Sequence, residues 1–210
     1  MVKVLRVCLK DRYFFLDNSG FEFLAEITQL DENGIIATVL EKRKNLAEPS
    51  LFVTLYQALP KKMELFEWVL QKGTEIGVSE FVPLVTERTE RREIPKRERL
   101  FKILREAAEQ CERGKIPELK EPLDFDRAIQ NHASGKKILL HGRGEFPKLS
   151  EKLNELKTQS RISLFIGPEG GFSEREIEKA NNSGVFIYSL GPRVLRTETA
   201  AIAAAIFLLG

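Results

Sequence analysis

The sequence has only two histidines and two cysteines among its 210 residues, which excludes several classes of functional site. Cys8 and Cys111 lie far apart, so the chain has no cysteine spacing of the kind that binds zinc or carries out redox chemistry. Neither a metal site nor a Cys–His nucleophile pair is therefore expected. We expect the two cysteines to be small buried thiols of a protein in a reducing compartment.

Three familiar catalytic or nucleotide-binding motifs are also absent. The chain has no G-x-x-x-x-G-K-[ST] loop, which excludes a Walker phosphate site, and no G-x-S-x-G nucleophile elbow. The segment "GRGEFP" lacks the third glycine of a dinucleotide fingerprint.

Long hydrophobic runs are missing as well. The longest, Ala200–Leu209, is too short to span a bilayer, and the segment "MVKVLRVCLKDRYFFL" contains no apolar core of a signal peptide. These features predict a cytoplasmic protein without a membrane partner.

The net charge is only +2, so a nucleic-acid surface would have to be a local patch. Residues 88–115 carry ten basic and six acidic side chains, a local excess larger than that of the whole chain. Within this segment the arm at Arg88, Arg91 and Arg92 is the better candidate for RNA contacts. The charges of the predicted helix 97–111 are more typical of a solvated helix face.

The C-terminal part repeats one pattern twice. The apolar runs Ile162–Ile166 and Val185–Leu190 each end in glycine and proline, as buried strands do. A strand, a glycine loop and a helix in succession are typical of an α/β sheet with its ligand at the carboxyl ends of the strands. We therefore expect the loops Gly167–Phe172 and Gly191–Arg196 to line one site.

Polar residues mark where the two helices of this pattern begin. Ser173 and Glu176 have the spacing of a capping box, which predicts a helix start at Ser173. Thr197 precedes the alanine-rich run 200–205 and is a plausible cap for the second helix.

The preceding chain falls into two parts. Residues 1–47 contain short apolar segments around Asn-Ser-Gly and Asn-Gly turns, which predict a small, barrel-like β module, and the polar stretch 41–50 is a candidate linker. From Leu51 onward, strand patterns alternate with helix patterns, as in a parallel sheet with helices on both faces. A third strand ends in glycines at Gly142 and Gly144.

Glycines at three strand ends allow a ligand to approach the backbone, and exposed N–H and C=O groups suit an uncharged adenine better than a triphosphate. The alternative is that these glycines only permit tight turns.

Several long segments carry a family resemblance. "LFIGPEGGFSEREIE", followed by "LGPRVLRTETAAIAA", resembles the signature of the bacterial small-subunit ribosomal RNA uridine-N3 methyltransferase family (RsmE), one of the knotted SPOUT methyltransferases. Upstream, "QALPKKMELFEWVLQKGTEIGV", "PLVTERTE" and "EAAEQCER" are similar to the family's earlier segments. The resemblance covers roughly residues 51–205.

The resemblance implies transfer of a methyl group from S-adenosylmethionine to N3 of a uridine in ribosomal RNA. It implies a PUA-like RNA-binding β-barrel at residues 1–47 and a SPOUT-type α/β domain with a parallel sheet and a C-terminal trefoil knot at residues 48–210. The implied partners are ribosomal RNA or the small ribosomal subunit and a second copy of the chain, joined through the knot region. A helix threaded through a loop would explain the slim "TAAIAAA" run, although an ordinary alanine-rich helix would have the same composition.

The resemblance also assigns site residues. The three cofactor loops of the family correspond here to Leu140, His141 and Gly142, to Ile166, Gly167, Gly170 and Gly171, and to Leu190, Gly191, Leu195, Thr197 and Ala200. We expect mostly backbone contacts to adenine, with the leucines and Ile166 forming an apolar slot. The alternative is that these apolar side chains belong only to the core.

Arginine and glutamate side chains are the candidates for chemistry. Uracil N3 must lose a proton, and a fixed cation would stabilise the negative charge on the ring. Arg196 is the first candidate for this cation, and Arg193 is the second, there or on an RNA phosphate. Glu169 or Glu198 could accept the proton. Alternatively, Glu198 only stabilises the helix N-terminus, and Arg196 pairs with Glu169.

Arg6 matches a basic position near the family's N-terminus and is a further candidate for RNA contact. Two other functions remain open: a knotted methyltransferase acting on transfer RNA or another ribosomal site, and a non-catalytic RNA-binding factor of ribosome assembly with the same fold.

Overall fold

The computed structural model describes residues 7–32, 34–130 and 135–210, and they form two compact units. The smaller unit comprises the described part of Met1–Glu48 together with Cys111–Lys115. The larger unit comprises Pro49–Gln110 and the described part of Ile116–Gly210. Arg6, a candidate for RNA contact, lies outside the described residues.

The smaller unit contains an antiparallel sheet of three described strands, in the order β1 (Arg12–Leu16), β2 (Phe21–Asp31) and β3 (Gly34–Lys44). The predicted Asn-Ser-Gly turn connects β1 to β2, with Gly20 at a φ of 84° that favours glycine. At the second turn, Gly34 pairs with Asp31, while Asn33 lies outside the described residues. Strand β3 extends into the stretch that was predicted as a linker.

The return of Cys111–Lys115 to the smaller unit is held by buried polar groups. The guanidinium of Arg113 is 4% exposed and pairs with Glu48 at 3.0 Å, and the amide of Asn45 donates to the carbonyl of Glu112 at 2.9 Å. Nothing in the sequence predicted this return. The prediction of two buried cysteines was wrong, because Cys8 is exposed and Cys111 is half-buried.

The larger unit contains a parallel sheet of seven strands within the described residues, which confirms the predicted α/β class. Its spatial order is β10-β8-β9-β4-β5-β6, and β7 also pairs with β5. The strands are β4 (Phe52–Ala58), β5 (Glu80–Val85), β6 (Glu118–Leu119), β7 (Leu123–Asp124), β8 (Lys136–Leu140), β9 (Arg161–Ile166) and β10 (Phe186–Tyr188).

Helices connect these strands and cover both faces of the sheet. They are α1 (Met63–Ile76), α2 (Arg97–Gln110), α3 (Phe125–Gln130), α4 (Leu153–Leu156, after a 3₁₀ turn at Leu149–Lys152), α5 (Glu174–Asn182) and α6 (Thr197–Leu209). Alternate residues of β4 point to opposite faces: Leu55 belongs to the core under α1, α2 and α6, and Tyr56 to the core under α3 and α5. No helix in the described ranges combines the length and apolarity needed to cross a membrane.

Helix α5 begins as predicted. The hydroxyl of Ser173 accepts the N–H of Glu176 at 3.2 Å, and a carboxylate oxygen of Glu176 accepts the N–H of Ser173 at 2.8 Å, which completes the capping box. The other oxygen of Glu176 accepts the N–H of Glu87 at 2.9 Å. This carboxylate is 2% exposed, so it joins the start of α5 to the chain that follows β5.

The predicted cap of α6 was wrong. Thr197 is the first residue of the helix, and Arg196 occupies the N-cap position without a side-chain capping bond. The hydroxyl of Thr197 instead donates to the carbonyl of Gly167, outside its own helix. A threonine before an alanine-rich run fits a cap equally well from sequence, because the distant carbonyl is not visible there.

Replacement of Glu176 should destabilise the larger unit more than replacement of Ser173. Ser173→Ala removes one capping bond and should lower the free energy of unfolding by about 1 kcal/mol. Glu176→Ala leaves two N–H groups without their charged acceptor, and we expect a loss of about 2–3 kcal/mol. Urea unfolding, followed by fluorescence of the single tryptophan, Trp68 in α1, measures both losses.

Glu178→Ala serves as the control, because Glu178 is exposed on the same helix and should change the free energy little. The interpretation of Glu176 as a tie between two segments is wrong when Glu176→Ala costs no more than Ser173→Ala.

Candidate functional site

A pocket of about 540 Å³ lies at the carboxyl ends of the parallel strands. It is formed by the segments that follow β4, β8, β9 and β10 and by the first turn of α6. Strands β8 and β9 are neighbours, with β10 beside β8 and β4 beside β9, so four strand ends meet there. The lining residues are Lys61, Lys62, Leu65, Leu140, His141, Gly142, Ile166, Gly167, Pro168, Glu169, Leu190, Arg193, Val194, Leu195, Arg196, Thr197, Glu198 and Ala200.

Most of the site residues proposed from the sequence lie around this pocket. Nine of the twelve cofactor candidates line it, and so do the three catalytic candidates and Arg193. Gly170, Gly171 and Gly191 do not line it. Gly171 and Gly191 have φ values of 69° and 115°, so their turns themselves favour glycine, and Gly170 lies against the side chain of Arg88. The turn interpretation is sufficient for Gly171 and Gly191.

A buried hydrogen-bond chain joins three elements behind the pocket. The amide of Gln57 on β4 donates to the hydroxyl of Thr197 at 2.8 Å, and this hydroxyl donates to the carbonyl of Gly167 at 2.5 Å. Gln57 is 1% exposed and Thr197 is 5% exposed, so water does not compete for these bonds. The start of α6 is therefore fixed against the loop that follows β9.

The apolar part of the lining is continuous with the core. Leu140 and Ile166 are buried members of the core under α1, α2 and α6, and Leu190 packs against that core. Leu195 is half-buried. Both interpretations of these side chains therefore apply, because the same residues complete the core and present an apolar wall to the pocket.

The charged side chains of the pocket differ in their surroundings. Arg193 and Arg196 are exposed, and no described carboxylate forms an ion pair with either, so the alternative of an Arg196–Glu169 bridge does not hold. Glu169 accepts the backbone N–H of Lys61 at 3.1 Å. Glu198 is 9% exposed, and its Oε2 is buried without a hydrogen-bond partner among the described residues. Glu198 therefore has a carboxylate oxygen without a described hydrogen-bond partner, in the same pocket as the two arginines.

The arm proposed for RNA contacts lies after β5. The guanidinium of Arg88 donates to the carbonyl of Gly170 at 2.7 Å, and that of Arg91 donates to the carbonyl of Lys61 at 3.4 Å. Arg92 is exposed. Arg88 and Arg91 therefore also hold loops near the pocket.

Several lining residues were not among the sequence candidates, namely Lys61, Lys62, Leu65, Pro168 and Val194. Lys61 and Lys62 follow β4, whose end carries no glycine to mark it. Pro168 and Val194 lie inside loops that the sequence did identify. Within the described ranges, no group of three or more His, Cys, Asp or Glu residues is placed to hold a metal ion.

His141 directly follows β8, and its backbone N–H donates to the backbone carbonyl of Tyr188 at 2.9 Å. Burial lowers the pKa of His141 from its ordinary value, and the nearby charges of Arg143 and Arg88 lower it further. The imidazole is therefore neutral at pH 7.

A lowered pKa of His141 should make the protein less stable in acid. Below the ordinary pKa of 6.5, the imidazole of His141 binds a proton in the unfolded chain but not in the folded protein. The free energy of unfolding therefore falls as the pH drops through this value. Urea unfolding between pH 5 and pH 8 should show this slope, and His141→Gln should reduce it. NMR titration of the imidazole measures the pKa directly, with His132→Gln to assign the second histidine. An unchanged slope in His141→Gln would contradict the expectation.

Comparison with known proteins gives a consistent result. An RNA methyltransferase domain family matches residues 47–209. The ribosomal RNA small subunit methyltransferase E of Bacillus subtilis is 31% identical, covering 96% of this chain and 82% of that protein. The protein of the same name from Buchnera aphidicola (strain Sg) is 36% identical, and the match again covers 96% of this chain and 82% of that protein.

The structural comparison agrees. The crystal structure of a ribosomal RNA small subunit methyltransferase E from Neisseria gonorrhoeae, bound to S-adenosyl methionine, is similar with a TM-score of 0.85 at 29% identity. The match covers 97% of this chain and 84% of that one. Because the domain match spans most of the sequence and the curated relatives exceed 30% identity along nearly all of it, the chain belongs to the ribosomal RNA small subunit methyltransferase E family.

Proposed function

We propose that this protein is an enzyme that transfers a methyl group from S-adenosylmethionine to N3 of a uridine in small-subunit ribosomal RNA. The observation that carries the proposal is the pocket at four strand ends, whose α6 side holds Arg196, which pairs with no described carboxylate, and the buried Glu198. Membership of the family and the S-adenosyl methionine bound to the Neisseria relative support the choice of cofactor.

The pocket fits S-adenosylmethionine in size and in chemistry. Its volume of about 540 Å³ is within the range of small-molecule sites, and an apolar wall faces backbone groups at strand ends. Leu140, Ile166, Leu190 and Leu195 would hold the adenine, and backbone groups near Gly142 and Gly167 would bind its polar edge. When bound, the cofactor supplies an electrophilic methyl group on a positively charged sulfur.

Protein side chains would prepare the uracil for attack. Uracil N3 carries a proton, and its loss places negative charge on the ring and its carbonyl oxygens. The guanidinium of Arg196 would stabilise this charge, since no described carboxylate neutralises it. Glu198 is the better proton acceptor, because its Oε2 has no other partner, whereas Glu169 already accepts the N–H of Lys61.

The proposed fold is a SPOUT-type domain with a C-terminal trefoil knot at residues 48–210, preceded by a PUA-like β-barrel at residues 1–47. The buried face of α6 supports the knot, because Ala201, Ala204 and Ala205 are fully buried and slim, as threading through a loop requires. The antiparallel sheet of the smaller unit supports the β-barrel.

The substrate would be held by cations outside the pocket. We assign phosphate contacts to Arg88, Arg91, Arg92 and Arg193, and in the N-terminal module to Arg6. Ribosomal RNA or the small subunit as substrate would place the enzyme in the cytoplasm.

A homodimer through the knot region is part of the proposal. Three large apolar side chains there are exposed in the single chain: Val194 is 68% exposed, Ile206 is 52% exposed and Phe207 is 38% exposed. Exposed apolar side chains of this size suit an interface. Analytical ultracentrifugation tests the dimer.

Mass spectrometry of ribosomal RNA treated with enzyme and labelled cofactor tests the proposed reaction. A methyl group on ribose, on another base or only on transfer RNA would favour the related knotted methyltransferases. Binding of RNA without binding of S-adenosylmethionine would favour a non-catalytic assembly factor.

Arg196→Ala should retain cofactor binding and lose methyl transfer. Removal of one preorganised group that stabilises developing charge typically lowers kcat by about 10²–10³-fold. Calorimetry should give a dissociation constant for S-adenosylmethionine close to that of the wild type. Arg175→Ala is the matched control, because Arg175 is an exposed arginine of α5 outside the pocket. Full turnover in Arg196→Ala would remove Arg196 from this role.

The two glutamates should differ in the same assay. Glu198→Gln removes the proposed proton acceptor and should lower kcat by about 10²-fold or more. Glu169→Gln keeps an oxygen that can accept the N–H of Lys61, so its kcat should change less than tenfold. Single-turnover rates with saturating cofactor measure both, and the reverse order of effects would assign the base to Glu169.

A further inference from the structure

A second cavity of about 630 Å³ lies beside the first in the larger unit. His141 lines both cavities, so they adjoin at the end of β8. The second cavity is formed by the segment after β8, by Gly170 and Phe172 after β9, and by one face of α5. None of the residues considered above as cofactor-binding or catalytic accounts for this cavity, apart from His141 and Gly170.

The floor of the second cavity is apolar and contains an ordered aromatic ring. Phe146 lies edge-on to the imidazole of His141, with ring centres 5.6 Å apart. Its backbone is fixed to β10, because the hydroxyl of Ser189 donates to the carbonyl of Phe146 at 3.2 Å and the N–H of Ser189 donates to that of Pro147 at 2.9 Å. The ring is therefore a half-buried flat surface in a fixed position.

Two arginines, Arg88 and Arg143, line the cavity. Arg88 is held by its bond to Gly170 and by a longer one, of 3.5 Å, to the carbonyl of Phe172, which fixes its guanidinium at the rim. Arg143 is exposed and has no described carboxylate as an ion-pair partner. Burial lowers the pKa of the neighbouring His141, and the charges of Arg143 and Arg88 lower it further. A rim of this kind suits a phosphate.

Helix α5 contributes acidic and amide side chains to the same cavity. Glu174, Glu178 and Asn181 of α5 line the cavity and are exposed. Carboxylates accept hydrogen bonds but cannot donate them, so they favour a base with an amino group on its edge. Uracil presents two carbonyl oxygens and a single N–H, and the carboxylates would repel those oxygens. The second cavity is therefore poorly suited to the uridine that is methylated.

We propose that the second cavity binds a nucleotide next to the methylated uridine in the RNA chain, and that it selects a base carrying an amino group. Its phosphate lies against Arg88 and Arg143, its base packs on Phe146, and the amino group donates to Glu178 or to the amide oxygen of Asn181. The inference rests on the proposed function, because it assigns a neighbouring subsite for the same RNA substrate. The shared His141 lets one strand occupy both cavities.

The test uses the full-length protein with S-adenosylmethionine and small-subunit ribosomal RNA in steady-state methyl-transfer assays. Phe146→Ala and Arg143→Ala should each raise the KM for RNA about tenfold, since a stacked base or a phosphate contact is lost. The affinity for S-adenosylmethionine, measured by calorimetry, should stay within twofold of the wild type. Arg175→Ala and Glu151→Gln, at exposed positions outside the cavity, should leave the KM unchanged.

Selectivity is tested with RNA substrates in which uridine replaces the nucleotide on either side of the methylated position. The wild type should lose activity about tenfold with one of these substrates. The amide of Glu178→Gln can also donate to a carbonyl oxygen, so this variant should lose less activity than the wild type when uridine replaces that nucleotide. Crosslinking of a 6-thioguanosine, which keeps an amino group on its edge, at that neighbouring position should label Phe146 or the residues beside it.

Four results would overturn the inference. The first two are an unchanged KM for RNA in both Phe146→Ala and Arg143→Ala, and an equal rise of this KM in the control Arg175→Ala. The other two are a loss of affinity for S-adenosylmethionine as large as the rise in KM, and equal activity on RNA substrates whatever base lies next to the methylated uridine. These results leave the proposed function intact, because the wild type would still methylate uridine. A wild type that binds S-adenosylmethionine but methylates no RNA would overturn the proposed function and the inference together.

Discussion

The hydrogen bonds of the Thr197 hydroxyl are the constraint on which the candidate site depends. This one buried group accepts from Gln57 of β4 and donates to the carbonyl of Gly167 after β9. It fixes the first turn of α6, and with it Arg196 and Glu198, against two neighbouring strand ends. A free helix start would leave the arginine at a variable distance from the pocket, and stabilisation of developing charge depends on fixed donors. The alanine-rich face of α6 then packs the rest of the helix into the core.

A second constraint is that all strands of the larger sheet are parallel. Parallel order brings every carboxyl end to one edge, so loops distant in sequence meet without a special device. The end of β8 lies between those of β10 and β9, and His141, which follows β8, lines both cavities. Because its pKa is lowered, His141 separates the two cavities as a neutral group. A charged imidazole there would add to an edge that already carries Arg88 and Arg143.

The sequence could predict those parts of the arrangement that depend only on local patterns. Short apolar runs before glycines marked β8 and β9, and the Ser173–Glu176 spacing marked the start of α5, because each pattern lies within a few residues. The role of Thr197 was missed because its acceptor is 30 residues away in the chain. Lys61 was missed because no glycine marks the end of β4. The return of Cys111–Lys115 to the smaller unit depends on the buried Arg113–Glu48 pair, whose partners are distant in sequence.

Arg88 and Arg196 are held in different ways, and no described carboxylate neutralises either of them. Arg88 donates hydrogen bonds to the carbonyls of Gly170 and Phe172, which fix the guanidinium without cancelling its charge. Arg196 stands at the N-cap of α6 and pairs with no described carboxylate, so its charge is also uncancelled. An ion pair would have satisfied Arg196 in the resting protein, and in the proposed reaction uracil would then have to displace the carboxylate. Because no described carboxylate forms such a pair, the proposed role of Arg196 needs no such displacement, and its guanidinium could favour the charge that develops on the substrate over a ground-state partner.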